Sequence, residues 1–82
     1  MSSSPHLPEF ALEVDASGLK CPLPILRAKK ALAQLGSGQV LKVVTTDKHA
    51  VTDFQAFAKQ TGNTLEAQVE AEGSVLHFLR RR

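Results

Sequence analysis

Tryptophan and tyrosine are absent from this 82-residue chain, and phenylalanine supplies only four aromatic rings. Stacking platforms for single-stranded nucleic acid are therefore scarce, and no direct nucleic-acid partner is expected. The single cysteine, Cys21, excludes an intramolecular disulfide. The opening MSSSPHLPEF lacks the charged start and apolar stretch of a signal peptide, so a cytoplasmic protein is expected. No apolar run approaches the ~20 residues that span a bilayer, which leaves no membrane-spanning helix to predict. Three scattered histidines, His6, His49 and His77, together with one cysteine match no zinc-ligand spacing, and neither a metal nor a cofactor is expected.

What is present is the composition of an ordinary globular domain, 43% hydrophobic and 22% charged. The length suits one domain that draws its core from nearly every element. The net charge of +2 is small, but its distribution is uneven. Residues 1–17 carry Glu9, Glu13 and Asp15, whereas residues 18–48 carry Lys20, Arg27, Lys29, Lys30, Lys42 and Lys48 against Asp47 alone. Positive charge thus gathers around Cys21 and the segment that follows it.

Residues 1–9, with three serines and two prolines, have no periodicity and predict a disordered tail, followed by one domain over residues 10–82. Phe10 to Asp15 reads as a first strand with Phe10, Leu12 and Val14 on one face, closed by Ser17-Gly18. After Pro24, Ile25, Ala28, Leu32 and Leu35 recur at helical spacing, and Gly36-Ser-Gly38 ends that helix. The β-branched run Val40 to Thr46 predicts a central strand, and residues 49–61 a second amphipathic helix entered through Thr46-Asp47. Leu65 to Ala71 alternates strictly, which predicts a strand with Leu65, Ala67, Val69 and Ala71 facing the core. Glu72-Gly73 turns the chain into a final strand, Val75 to Leu79. The order β-α-β-α-β-β predicts an α+β fold. It is a two-layer α/β sandwich whose mixed four-stranded sheet carries both helices on one face.

Free cysteine often serves as a small buried hydrophobe. Cys21, however, stands at a strand-to-helix turn directly before Pro22, a residue suited to the first helical position, and beside Lys20. A helix N-terminus stabilises an anion, so this placement predicts a reactive cysteine with a lowered pKa. Neither Pro22 nor Pro24 has an N–H to donate, and each disfavours helical geometry in the residue before it. Leu23 and Ile25 become the first available donors, and the Cys-Pro-Leu-Pro segment should be stiff with its sulfur turned outward.

The stretch Asp15-Ala-Ser-Gly18-Leu-Lys-Cys21-Pro22-Leu-Pro24 resembles the signature of the TusA/SirA family of sulfur carriers, an acidic residue and a glycine upstream of a Cys-Pro-x-Pro box. Thr46-Asp47 and the stretch from Asp53 to Phe57 are similar as well. The resemblance spans roughly residues 10–82. It implies a sulfurtransferase in the sense of a stoichiometric persulfide relay, with Cys21 as the catalytic residue. The donor would be a cysteine desulfurase or rhodanese-like protein and the acceptor a downstream protein of tRNA thiolation, cofactor assembly or sulfur oxidation. Where many members carry proline after the second strand and near the entry of the second helix, this chain has Lys48 and Gln55.

Around Cys21, Asp15 and Gly18 are expected to shape the loop together with Pro22 and Pro24, while Lys20 and Arg27 are candidates for binding a partner. A monomer is expected. Two other functions fit parts of the sequence: a small RNA- or protein-binding module using the basic first helix, and a one-cysteine redox sensor.

Overall fold

The computed structural model describes residues 8–82; the predicted tail lies, apart from Pro8 and Glu9, outside the described residues. Six elements follow in the order β1 (Leu12–Ala16), α1 (Leu23–Leu32), β2 (Val40–Thr45), α2 (Ala50–Thr61), β3 (Thr64–Ala71) and β4 (Ser74–Arg80). The strands form one sheet in the order β1-β2-β4-β3. β1 runs parallel to β2, whereas β2 with β4 and β4 with β3 are antiparallel, so the sheet is mixed. A parallel pair needs a crossover, and α1 supplies it; the tight β3-β4 connection needs only a turn.

The face of the sheet under the helices is set by register. Leu12, Leu41 and Leu79 stand in one row, with Val14, Val43 and His77 in the next. Against them pack Ala28, Ala31 and Leu32 of α1 and Ala50, Phe54, Phe57 and Ala58 of α2. The small α1 residues let that helix approach the sheet closely, while Phe54, fully buried, fills the space under α2.

Four boundaries or faces differ from the sequence reading. Phe10 does not extend β1: it lies on the opposite face of the sheet, its ring 6.3 Å from that of Phe78. Phe78 alternates with the core residues His77 and Leu79, so it faces away from the helices and Phe10 covers it. Helix α1 begins at Leu23, one residue earlier than Pro24, and ends at Leu32 before the glycines. Its last turn tightens through bonds from the Gln34 and Leu35 N–H groups to the Ala31 and Leu32 carbonyls.

The fourth difference is in β3. The register shifts between Leu65 and Ala67, a bulge that leaves Glu66 unopposed. One extra residue reverses the side-chain parity beyond it, so Ala67, Val69 and Ala71 turn to the open face and Gln68 stands opposite His77 on the helix side. Gln68 is tolerated there because its amide is fully used. Its Nε2 donates to the Val51 carbonyl (3.0 Å) and to His77 Nδ1 (3.0 Å), and its Oε1 accepts from Gln55 (3.0 Å).

Candidate functional site

Cys21 is exposed on the loop joining β1 to α1, beyond the carboxyl ends of the two parallel strands. That loop is built from its own residues first. The Asp15 carboxylate accepts the Ser17 N–H (3.0 Å), the Ala16 carbonyl accepts the Leu19 N–H (3.2 Å), and Gly18 takes φ 79°, where a side chain would be strained.

Two side chains from the loop after β2 then tie it down. Thr46 Oγ1 accepts the Gly18 N–H at 2.8 Å, and Asp47 Oδ2 accepts the Cys21 N–H at 2.9 Å. Asp47 is itself held: its Oδ1 accepts the His49 N–H (3.2 Å) and lies 3.5 Å from His49 Nδ1. These bonds keep the Asp47 carboxyl below the usual carboxylate range. The backbone of the Cys21 loop is therefore anchored across 26 to 28 residues of sequence, while the sulfur stays in solvent.

The sequence placed Cys21 near the helix cap, and there the structure puts it, directly before the cap residue; the expected lowering of its thiol pKa is reversed. Pro22, joined to Cys21 by a cis peptide bond, occupies the cap position, with Leu23 and Pro24 in the first turn. The Leu23 N–H does not serve the sulfur; it bonds the Lys20 carbonyl at 2.8 Å. Meanwhile the Asp53 carboxylate, from the first turn of α2, hydrogen-bonds the thiol, and with slight desolvation and the charges of Asp53 and Asp47 it pushes the Cys21 pKa up. The negative charges of Asp53 and Asp47 disfavour an anionic sulfur.

Pro24 is buried under the loop, whereas Lys20 and Arg27 are exposed. Leu23 and Leu26, 48% and 54% exposed, lie with Arg27 on the outward face of α1, opposite the buried Ala28 and Leu32. The site thus has an apolar shoulder next to the sulfur and a cationic flank one turn along. Asp47 and Asp53 were read from sequence only as a helix entry and part of a similar stretch; their approach to Cys21 is a tertiary contact with no local signal. No helix among the described residues is long and apolar enough to cross a membrane.

Comparison with known proteins finds relatives over most of the chain. Residues 12–81 match the family model for sulfurtransferase TusA. The chain is 62% identical over 71 residues to the sulfur carrier protein TusA of Allochromatium vinosum, covering 87% of this chain and 92% of that protein. It is 36% identical over 69 residues to the TusA of Pseudomonas entomophila, covering 84% and 86%. The crystal structure of the SirA-like protein from Desulfitobacterium hafniense superposes with a TM-score of 0.77 at 33% identity, over 85% of this chain and 96% of that one. With its cysteine on the loop between the first strand and the first helix, and with matches over nearly its whole folded length, the chain belongs to the TusA family of sulfur carriers.

Proposed function

We propose that this protein carries sulfane sulfur as a persulfide on Cys21 and relays it from a donor protein, a cysteine desulfurase or a rhodanese-like enzyme, to an acceptor protein. The observation that carries this reading is one exposed thiol on a loop whose backbone is pinned by Thr46 and Asp47. A relay needs the sulfur accessible to two partners in turn and its position reproducible, and a pinned loop with a solvent-facing thiol supplies both.

In loading, the Cys21 thiolate attacks the outer sulfur of the donor's persulfide, the donor's S–S bond breaks, and the donor cysteine leaves as thiolate and takes up the proton released by Cys21. In unloading, the acceptor's thiolate attacks the outer sulfur on Cys21, which departs as thiolate. The protein returns to its starting state and acts as a sulfurtransferase only together with its partners. No second cysteine is available in the chain to attack the inner sulfur and expel sulfide.

Asp53 and Asp47 give the resting state a further property. They hold the unloaded sulfur as thiol, which is less open to oxidants and stray disulfides than a thiolate. Asp15 and Gly18 shape the loop, Pro22 and Pro24 stiffen it, and Lys20 and Arg27 draw in an acidic partner surface while Leu23 and Leu26 supply its apolar contact.

The test is transfer of label. With a cysteine desulfurase and radiolabelled cysteine, the wild type acquires protein-bound sulfur that reductant releases, and Cys21→Ser acquires none while keeping its fold. Reducible label on the variant, or folded wild type that accepts sulfur from neither a desulfurase nor a rhodanese donor, would sink the proposal.

A further inference from the structure

We propose that the outer edge of β1, together with the groove between it and α1, receives an extended acidic segment of a partner protein, which adds to the sheet as a fifth strand.

The sheet has two edges, β1 and β3, and they are protected unequally. Among the described residues β1 pairs with β2 alone, so along its five residues one row of backbone N–H and C=O groups is left to other partners. β1 has no proline and no bulge in its register with β2. β3 carries the common edge defences: its bulge at Glu66 twists the ladder, and Glu66 is engaged by Arg80 at 2.7 Å. Glu70 adds more negative charge there. An added strand therefore fits β1.

The chemistry of that strand follows from the groove. Its floor is Leu12, Val14 and Ala31, and its far wall is the outward side of α1 with Arg27, Lys30 and Gln34. Neither Arg27 nor Lys30 forms an ion pair among the described residues. The acids of β1, Glu13 and Asp15, also border the groove, but they alternate with Leu12 and Val14 and so point to the face of the sheet away from α1, where Glu13 lies 3.8 Å from Lys42. On the helix side of the groove the charge is positive, from Arg27 and Lys30. Alternate side chains of an added strand would point to the helix side, where glutamates would lay their stems on Leu12 and Val14 and their carboxylates against Arg27 and Lys30. The intervening side chains would face Glu13 and Asp15 and so should carry no negative charge. Only four residues separate the end of β1 from Cys21, so a partner held there is held beside the Cys21 loop.

The test uses acetyl-Thr-Glu-Thr-Glu-Thr-Glu-Thr-amide as probe and backbone-amide NMR of the full chain as readout. Binding should shift residues 12–16 and the outward side of α1, and slow amide exchange within β1. Arg27→Glu with Lys30→Glu should weaken it roughly tenfold or more, and the peptide with lysine for glutamate should not bind. Cys21→Ser should bind like the wild type, which separates this docking mode from the persulfide reading. Four results would overturn it: no shifts at millimolar peptide; shifts on α1 without slowed exchange in β1, which is plain charge attraction; equal binding of the lysine peptide; or a sedimenting dimer whose β1 edge is closed by a second copy.

Discussion

Two titratable side chains show how far a residue's surroundings can override its type. At Cys21 the carboxylate of Asp53 stabilises the protonated thiol, so the alkylation midpoint should lie above the ~8.5 of an ordinary cysteine. Asp53→Asn should lower it and speed alkylation near neutral pH, because removing the negative charge favours the thiolate. Rates against pH in the two proteins check this, and an unchanged midpoint would remove Asp53 from the account. His77, fully buried and stacked 4.4 Å from the Phe54 ring, receives a hydrogen bond at Nδ1 from Gln68 and donates from Nε2 to Thr45 Oγ1 at 2.7 Å. Burial lowers its pKa to about 4. The unfolded chain, with histidine near 6.5, therefore takes up a proton before the folded one, and stability falls as pH drops from about 6.5 to 4. The loss is on the order of 3 kcal/mol. Urea unfolding across that range should show it, and His77→Gln should flatten the dependence. Neither shift was legible in the sequence: Asp53 lies 32 positions from Cys21, and Gln68 meets His77 only because the hairpin register places them opposite.

At the scale of elements, the periodic signals were readable and the interruptions were not. α2 follows its hydrophobic period to Thr61 and stops at Gly62, whose φ of 80° lets its N–H reach the Ala58 carbonyl at 2.9 Å. Gly62→Ala should cost about 1–2 kcal/mol because a side chain disfavours that left-handed conformation. A Cβ there would also come within 3.2 Å of the Arg82 side chain, which is flexible and can yield. Thermal or urea unfolding checks the value, and a neutral substitution would mean that the cap relaxes. The Glu72-Gly73 turn was equally plain, both residues taking positive φ as a tight hairpin requires. β3 misled because its alternation is real on both sides of the bulge but changes phase across it. Leu65 faces the helices and Val69 does not, and nothing in Thr64 to Ala71 marks Glu66 as the extra residue. Helix α1 ended early for a related reason: Leu35 keeps the period while the backbone has already tightened beyond Leu32.

For the whole molecule, element order was enough to give two layers and a mixed sheet, while the insertion of β4 between β2 and β3 depended on long-range pairing. That arrangement places the Cys21 loop at the carboxyl ends of β1 and β2 and leaves the face away from the helices to side chains alone. On that face Phe10 covers Phe78, which is only 1% exposed, and Lys42 Nζ stands 5.0 Å from the center of the Phe10 ring. Phe10 is itself 44% exposed, so it contributes part of its apolar area, an aromatic contact and a cation–π contact. Phe10→Ala should therefore destabilise the fold by about 1–2 kcal/mol. Phe10 precedes β1 whereas Cys21 follows it, with the length of the strand between them. The surroundings of Cys21 are set by Thr46, Asp47 and Asp53, which lie in and after the loop that follows β2, away from Phe10. The substitution should lower the urea midpoint yet leave the pH profile of Cys21 alkylation and the loading of labelled sulfur unchanged in the folded protein. A shifted alkylation profile in folded Phe10→Ala would show instead that the two ends of β1 are mechanically coupled, and that the loop is held by the whole strand in addition to its local clamps.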